Sequence, residues 1–498
     1  MSLLRRAMLR ASAETVRSGG LLALYLALHG HAWPNRLPNP FLKGGFAPVR
    51  DELTVEALPV RGELPKDLAG VYLRNGPNPE FKPLSYTFPF DGDGMVHALA
   101  LQEGRASYRN RFVLTPGLRA EQRAGRALYG GMLTPRWPDP ALIGPDGDPS
   151  PFKNTANTNV IHHGGRTLAL WEGGLPIELG PDLRTIGPCD FNGQVRTAFT
   201  AHPQTDPHTG ELLAFRYVPT PPYLFLIVID PTGQHAREIP IDVAAPFMVH
   251  DFTVTPRYAI FFLCPTLIDP ASAIRGRRLL SWEPERGTCI ALVPRDGCGP
   301  VRWFRTDPFF VFHFMNAFEQ AERIAVDYVQ HASFGGGMST AMPSLWRMEL
   351  DPATGLARRS QLCDHIAEFP RIDRQVAGRR NRYGWMPLAG RHRGPASTFS
   401  AVARYDFLRG DVAVHDFGQG QEMGEPVFIP RPGADPSRRA EGDGWIGAYV
   451  YDLAADATRF VLLDAVDIVA PPLAEIMLPR RVPHGFHGNW IEGAALAA

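Results

Sequence analysis

The sequence predicts an all-β protein built from many short strands. Among its 498 residues are 49 glycines and 48 prolines, which interrupt helices and mark turns. From about residue 50 onward, short runs alternate apolar and polar side chains, as in Glu211–Tyr217 and Tyr258–Leu263. Turn signals such as Asp206-Pro-His-Thr-Gly210 separate the runs, because Pro presets φ and Gly accepts the positive φ of a hairpin turn.

So many hairpins without helical periods between them indicate either an array of β-sandwiches or a β-propeller. A propeller closes its blades into a ring and so leaves no long exposed sheet edge. No linker, low-complexity segment or charge block divides the chain, and residues 39–498 are therefore expected to form a single domain. The repeats share no clear signature, so their periodicity does not give the number of blades.

Residues 1–38 form an N-terminal extension of different character. Four arginines precede a short apolar run, Leu21–Leu28: Arg5, Arg6, Arg10 and Arg17. A secretory signal fits poorly, since the basic part is long and contains Glu14. Leu4 and Met8 repeat at helical spacing, which predicts a short amphipathic helix lying against the protein or a membrane surface.

Charge and cysteine content exclude several classes of protein. The 51 basic and 51 acidic side chains balance, which gives no electrostatic case for binding nucleic acid. The five cysteines include no Cys-x-x-Cys pair, so we expect reduced, buried thiols in a cytoplasmic protein. No apolar run reaches the roughly 18 residues of a membrane-spanning helix.

Four histidines stand in contexts that suggest metal binding: His202, His250, His313 and His487. Their spacings of 48, 63 and 174 residues exclude a local motif carried by one helix. If these imidazoles meet, separate strands must bring them together. The axis of a propeller is such a place, because the inner strands of all blades run beside it.

Several segments together resemble the carotenoid cleavage oxygenases, the non-haem iron family that splits double bonds of carotenoids, apocarotenoids and some stilbenes. The resemblance covers about residues 39–495 and follows the family order. Its segments are Asn39-Pro-Phe-Leu42, Gly45-Phe-Ala-Pro-Val49, Gly70-Val-Tyr-Leu-Arg-Asn-Gly-Pro-Asn-Pro79, Phe90-Asp-Gly-Asp-Gly-Met-Val-His97 and Gly485-Phe-His-Gly488.

This resemblance implies a seven-bladed β-propeller with a dome of helices and loops over the iron-bearing face. It also implies one Fe(II) ion per chain, bound by His202, His250, His313 and His487. Imidazole suits Fe(II), and four neutral ligands leave the full charge on the metal with open positions for O₂. His484, one helical turn before His487, is expected not to be a ligand.

The family orients its ligand imidazoles with glutamates, and three matching contexts occur here. By resemblance, Glu172 pairs with His250, Glu368 with His313 and Glu425 with His487, whereas His202 lacks such a partner. A carboxylate on the second ring nitrogen fixes the tautomer and orientation of a ligating histidine.

The substrate is expected to be an apolar polyene in an aromatic tunnel. The sequence has 29 Phe, 13 Tyr and 9 Trp, although such residues often serve only as core. By resemblance, Thr158, Trp171, Met248 and Phe312 surround the reacting double bond. The lignostilbene-cleaving branch carries a lysine where this chain has Trp171, which disfavours a phenolic stilbene.

The predicted function is therefore an Fe(II)-dependent dioxygenase that cleaves a conjugated double bond of a carotenoid or apocarotenoid with O₂. No catalytic side chain is expected beyond the metal centre. Two alternatives stay open: a stilbene-cleaving dioxygenase, and a non-catalytic propeller that binds a partner. The sequence also leaves open whether Trp137, Leu142 and Ile143 touch the inner face of the membrane or pack within the dome.

Overall fold

The computed structural model describes residues 39–86, 89–334, 342–389, 398–433 and 439–493. Their strands form eight sheets, seven of which are the blades of a ring. This arrangement confirms the predicted seven-bladed β-propeller. The amphipathic helix predicted within residues 1–38 lies outside the described residues.

Blades 1 to 4 each consist of four antiparallel strands that follow one another along the chain, from the inner edge of the ring outward. Blade 1 comprises Asn159–His163, Arg166–Leu170, Ile177–Leu179 and Thr185–Pro188. Blade 2 comprises Gln204–Thr205, Leu212–Tyr217, Tyr223–Ile229 and Ala236–Asp242. Blade 3 comprises Thr253–Val254, Tyr258–Leu263, Thr288–Pro294 and Arg302–Thr306. Blade 4 comprises Phe310–Gln320, Arg323–His331, Ser344–Asp351 and Leu356–Gln361.

Blades 5 to 7 follow in the same direction, and the last two include strands from the N-terminal part of the chain. Blade 5 comprises Tyr383–Leu388, Ala401–Asp406 and Asp411–Asp416. Blade 6 comprises Gln421–Met423, Val427–Pro430, Gly444–Asp452, Ala457–Asp464, Ala474–Met477 and Val60–Gly62. Blade 7 comprises Gly488–Glu492, Gly70–Pro77, Gly94–Gln102, Arg105–Phe112 and Thr54–Val55.

The ring closes by interleaving the two ends of the chain. Gly488–Glu492, the last strand, pairs with Gly70–Pro77 and becomes the inner strand of blade 7. Val60–Gly62 pairs with Ala474–Met477 and becomes the outer strand of blade 6. Closure thus depends on contacts between residues more than 400 positions apart, which fix the position of the final loop before Gly488.

Aromatic side chains fill the spaces between neighbouring blades. Between blades 6 and 7, the ring of Tyr72 lies 5.3 Å from that of Tyr449 and 5.4 Å from that of Phe460. All three are buried, and each such side chain contributes roughly 1.5–3 kcal/mol relative to an exposed one. Gly70–Pro77, which pairs with the inner strand of blade 7, is buried along its whole length, whereas Leu356–Gln361, the outermost strand of blade 4, is half-buried or exposed throughout.

The dome consists of connections that leave the sheets. It contains the α-helices Pro116–Ala124, Pro140–Ile143 and Pro270–Ile274, and the hairpin of Thr266–Ile268 with Leu280–Trp282. Short 3₁₀ helices lie at Pro40–Leu42, Gly44–Phe46, Pro89–Asp91, Pro284–Arg286 and Arg374–Val376. The first α-helix begins after Thr115, whose hydroxyl accepts from the Leu118 N–H, and it ends at Gly125 in the left-handed conformation.

The candidates for membrane contact divide between surface and interior. Trp137 is exposed, whereas Ile143 is buried in a cluster with Leu128 and Tyr129, and Leu142 packs against that cluster. Ile143 therefore belongs to dome packing and cannot reach a lipid surface. Among the described residues, no helix is long and apolar enough to span a bilayer.

All five cysteines are free thiols. Cys189, Cys264 and Cys363 are buried and Cys289 is half-buried, as expected for structural thiols. Cys298 is exposed, so the expectation that every thiol is buried is wrong at this position. It lies between Gly297 and Gly299 in an exposed loop.

Candidate metal centre

The four predicted histidines converge at the inner edge of the ring. His202, His250 and His487 lie two, three and one residues before the innermost strands of blades 2, 3 and 7, and His313 is the fourth residue of the innermost strand of blade 4. One ring nitrogen of each lies within 4.8 Å of those of the other three, and all four residues are buried. The ring centroid of His202 lies 4.4 Å from that of His250 and 4.5 Å from that of His487.

His313 differs from the others because it lies within a strand. The pairing of Phe310–Gln320 with Arg323–His331 shifts register twice, between Val311 and Phe314 and between Phe314 and Asn316. Such β-bulges bend a strand, change the direction of a side chain and are frequent beside active sites. The irregular segment contains His313, whose ring joins the cluster.

Three glutamates contact three of the imidazoles at Nδ1. The pairs are Glu172 with His250 at 3.0 Å, Glu368 with His313 at 2.5 Å and Glu425 with His487 at 2.8 Å. Among the described residues, no carboxylate contacts the ring of His202. Because Nδ1 is occupied in three rings, Nε2 is the nitrogen left to face the cluster.

Every blade contributes one residue to this arrangement. Blades 2, 3, 4 and 7 supply the histidines, and blades 1, 5 and 6 supply the glutamates. Glu172 follows the blade 1 strand Arg166–Leu170, and Glu425 lies between the blade 6 strands Gln421–Met423 and Val427–Pro430. Glu368 lies in a segment that forms β-bridges to Leu388 and Trp385 of blade 5. The sevenfold ring therefore explains how residues far apart in sequence reach one point.

Each glutamate also accepts a hydrogen bond from a further side chain. The donors are the Tyr217 hydroxyl to Glu172 at 3.1 Å, His331 Nε2 to Glu368 at 2.6 Å and the Arg371 guanidinium to Glu425 at 2.7 Å. Sequence reasoning missed all three donors. Each lies on a different strand or segment from the glutamate that it contacts, so no local motif identifies it.

The electrostatics favour neutral imidazoles at His202 and His487 and ionised carboxylates at Glu368 and Glu425. Burial, together with the neighbouring imidazoles, holds the pKa of His202 well below its usual value, and burial lowers the pKa of His487 to about 4. At His250, burial opposes protonation, but the Glu172 carboxylate outweighs it and raises the pKa. Burial likewise opposes ionisation of Glu368 and Glu425, yet their cationic and imidazole partners hold both pKa values well below the usual range.

The donor set fits a transition-metal ion. Nε2 of His202 and Nε2 of His313 are buried and have no hydrogen-bond partner. Burying such a polar atom unpaired is costly, and a metal ion would remove that cost. A neutral imidazole is also the form that binds a metal.

Histidines outside the cluster have ordinary partners. His484 Nε2 lies 2.7 Å from Glu422, and its ring packs against Phe46. His97 Nδ1 lies 2.7 Å from the Tyr108 hydroxyl. Among the described residues, the four-histidine group does not include either of them.

The four predicted tunnel residues lie at different distances from this cluster. The Phe312 ring lies 5.3 Å from that of His250, edge to face. The Thr158 carbonyl accepts the His487 N–H at 3.0 Å, and Thr158 precedes the inner strand of blade 1 just as histidines do in other blades. Met248 is buried in the core cluster of blades 3 and 4.

Trp171 lines a small cavity in the dome rather than contacting the imidazoles. Its neighbours there include Phe90, Phe152 and Lys153. The Lys153 ammonium lies 2.5 Å from Asp93 and 2.7 Å from Glu121, so two carboxylates neutralise it. A lysine therefore does lie near Trp171, but its ammonium group is paired with Asp93 and Glu121.

An aromatic residue that the sequence did not single out covers two imidazoles. The Phe369 ring lies 4.9 Å from that of His313 and 5.3 Å from that of His487. Phe369 adopts a positive φ of 47°, and its N–H donates to Glu368 at 2.7 Å. Non-glycine residues with positive φ often mark functional sites, but this φ is visible only in the structure and could not have identified Phe369 from the sequence.

The ring and its axial cluster define this protein as a four-histidine β-propeller. The family model described as "Retinal pigment epithelial membrane protein" matches residues 46–492. A Mycobacterium tuberculosis protein named carotenoid cleavage oxygenase is 34% identical over 91% of this chain and 97% of its own length. The chain therefore belongs to the carotenoid cleavage oxygenase family.

Other relatives have different named activities. An isoeugenol monooxygenase of Pseudomonas nitroreducens is 33% identical over 91% of this chain and 98% of its own. The Pseudomonas brassicacearum lignostilbene dioxygenase superposes with a TM-score of 0.83 at 31% identity, covering 92% of this chain and all of that one. A cobalt-substituted Synechocystis apocarotenoid oxygenase gives 0.77 at 31% identity, covering 89% and 96%.

Proposed function

We propose that this protein is an Fe(II)-dependent dioxygenase that cleaves a conjugated double bond of a carotenoid or apocarotenoid. The observation that carries the proposal is the convergence of four buried imidazoles, three of them fixed through Nδ1 by glutamates. Nitrogen-only ligation suits Fe(II) and leaves the metal charge uncompensated by ligands. One ion per chain would be held at this site.

The protein residues hold the metal ion and orient the substrate, and none acts as an acid, base or nucleophile. When bound, Fe(II) supplies the redox chemistry that allows O₂ to react with a closed-shell alkene. His202, His250, His313 and His487 hold the ion, and the three glutamates keep the protons of their partners on Nδ1. Both oxygen atoms end on the two carbons of the broken bond, which gives two aldehydes, or one aldehyde and one ketone.

Aromatic side chains shield the reacting centre from water. Phe312 lies against His250, and Phe369 lies against His313 and His487. An apolar wall on both sides of the cluster suits a polyene, and it positions one double bond by shape. Thr158, Trp171 and Met248 are proposed to extend this wall toward the dome.

A stilbene is the second candidate substrate. The TM-score of 0.83 with a lignostilbene dioxygenase favours it. Against it stand Trp171 at the position of the phenol-engaging lysine and the neutralised state of Lys153. We therefore place the carotenoid or apocarotenoid first.

Metal analysis tests the enzyme against the alternative of a non-catalytic binding protein. We expect about one iron per chain in the native protein and its loss in His250→Ala and His487→Gln. His484→Gln is the matched control, because it makes the same change three residues away at a histidine bound to Glu422. A folded protein that holds no iron, or holds it equally in all three variants, contradicts the proposal.

Substrate assays then decide between the two branches. The iron-loaded protein is incubated under O₂ with one apocarotenal and, separately, with one hydroxystilbene. Product masses identify the bond that breaks, and incorporation of ¹⁸O₂ into both fragments distinguishes a dioxygenase from a monooxygenase. Turnover of the hydroxystilbene alone would replace the first candidate with the second.

Peripheral membrane contact is the final part of the proposal. A polyene dissolves in bilayers, so an exposed apolar side chain near the dome suits its delivery. Trp137, which the sequence singled out, is exposed and is the candidate that we test. Flotation with neutral lipid vesicles, comparing the native protein with Trp137→Ser, tests this point, and equal flotation contradicts it.

A further inference from the structure

The three glutamates differ in the chemistry of their outer donors. Glu172 accepts from a phenol, Glu425 from a guanidinium, and Glu368 from an imidazole, that of His331. The His331 contact, at 2.6 Å, is the shortest of the three. His331 is not one of the four histidines of the cluster.

The hydrogen bond from His331 satisfies one of the two carboxylate oxygens of Glu368. Its Oε2 accepts from His313 Nδ1 at 2.5 Å and from the Phe369 N–H at 2.7 Å. Its Oε1 accepts from His331 Nε2. Without that donor, one oxygen of a buried carboxylate would be unpaired, and the group would gain by rotating away from His313.

His331 also touches the aromatic wall beside the cluster. It ends the strand Arg323–His331, opposite Phe310 in register, and its ring lies 5.1 Å from that of Phe312. Phe312 in turn contacts His250. His331 therefore contacts Glu368, which orients His313. It also contacts Phe312, whose ring packs against His250.

We propose that His331 is a positioning residue for the metal centre, acting on His313 through Glu368 and on the aromatic wall through Phe312. The inference rests on the proposed function, since it assigns His331 a role toward the ion held by the four histidines. The donated hydrogen bond keeps the Glu368 carboxylate in the plane that holds His313 Nε2 toward the cluster. Second-layer partners of this kind typically change metal affinity by about 10- to 100-fold.

Co(II) is the probe, because its visible spectrum reports ligand geometry without turnover. Native protein, His331→Leu and His331→Gln are stripped of metal, and Co(II) binding is titrated by absorbance against a competing chelator. Leucine removes the donor, whereas glutamine restores an N–H at similar reach. Thermal unfolding of each metal-free variant verifies that the propeller is intact.

We expect His331→Leu to bind Co(II) about tenfold more weakly with an altered spectrum, and His331→Gln to recover most of both properties. Unchanged affinity and spectrum in His331→Leu overturn the inference and leave the proposed function standing. Equal loss in both variants also overturns it, because the hydrogen bond is then not the cause. Native protein that binds no Co(II) or Fe(II) overturns the proposed function and the inference with it.

Discussion

The Arg371 guanidinium lies 2.7 Å from Glu425 Oε2, while Glu425 Oε1 lies 2.8 Å from His487 Nδ1. Arg371 also donates to the Gly488 carbonyl at 3.0 Å. Burial opposes ionisation of Glu425, but Arg371 and His487 hold its pKa well below the usual range. Glu425 is therefore an obligate acceptor, so the His487 proton stays on Nδ1 and its Nε2 lone pair faces the cluster.

Glu425→Gln should weaken metal binding while the propeller stays folded. The amide is neutral, and its NH₂ group would face either His487 or two donors, the Arg371 guanidinium and the Gly488 N–H, which donates to Glu425 Oε2 at 2.9 Å. We expect the dissociation constant for Fe(II) or Co(II) to rise about 10- to 100-fold, as for other second-layer carboxylates. Chelator competition on the purified variant measures it.

Glu422→Gln is the matched control for this change. Glu422 also accepts from a histidine, His484 at 2.7 Å, but His484 is not in the cluster. Metal affinity should therefore stay within about twofold of the native value, since no second-layer contact is altered. Equal weakening in both variants would show a general loss of fold instead of a specific role for Glu425.

Phe312→Ala should separate metal binding from turnover. The Phe312 ring packs perpendicular to the His250 ring but supplies no ligand atom. Its removal leaves space beside the reacting bond, so we expect kcat/KM to fall about 10- to 100-fold through misplaced substrate. Iron content by elemental analysis should stay near one per chain, and Phe312→Leu should recover part of the rate.

Two other results would contradict this role for Phe312. Loss of iron in Phe312→Ala, with normal thermal unfolding, would mean that this ring supports His250 mechanically. An unchanged kcat/KM would mean that the substrate approaches from another side of the cluster.

Much of the fold and the centre of the site follow from the sequence because strong local signals report them. Turns such as Asp206-Pro-His-Thr-Gly210 mark hairpins, and the structure forms a hairpin turn there. The spacing of His202, His250, His313 and His487 shows only that separate strands must bring them together. Their identification as a set came from the family resemblance, and the structure brings all four together.

The outer donors could not be predicted, for a physical reason. Tyr217, His331 and Arg371 act across blades, and their direction depends on register and on bulges such as the one at residues 311–316. No periodicity encodes a register shift before the sheet exists. The same holds for Trp171 and Ile143, whose surroundings in the dome depend on irregular connections.

Gly485→Ala should disturb the loop that carries His487. A Cβ at residue 485 would lie 2.6 Å from the Asn75 carbonyl oxygen and 3.1 Å from the Gly76 Cα. Because both contacts are with backbone, the loop must shift, and we expect a loss of about 1–3 kcal/mol in unfolding free energy with weaker metal binding. Urea unfolding and Co(II) titration measure the two effects.

Gly180→Ala provides the comparison for that change. A Cβ there would lie 3.0 Å from the end of the Asp182 side chain and at an ordinary 3.7 Å from the Arg184 carbonyl oxygen, and residue 180 is far from the histidine loop in sequence. Metal affinity should be unaffected. Gly485→Ala with native Co(II) affinity would show that the loop tolerates the shift without moving His487.

Asp206→Asn should remove a pH-dependent contribution to stability. Asp206 caps its turn by accepting from the His208 N–H at 2.8 Å, and it pairs with Arg295 of the neighbouring blade at 2.7 Å. Burial opposes ionisation, but these contacts hold its pKa below the usual value. Because the folded pKa is the lower one, the stabilisation is complete above the unfolded pKa of about 4 and disappears as pH falls through the folded pKa.

We therefore expect Asp206→Asn to cost about 2–3 kcal/mol in urea unfolding at pH 7 and distinctly less at pH 3.5. Asp351→Asn is the matched control, because Asp351-Pro-Ala-Thr-Gly355 forms the same turn, while its arginine, Arg323, is exposed and 3.7 Å away. Its effect at pH 7 should be smaller. A cost at Asp206 that is independent of pH would mean that shape, and not the charge facing Arg295, joins blades 2 and 3 at this turn.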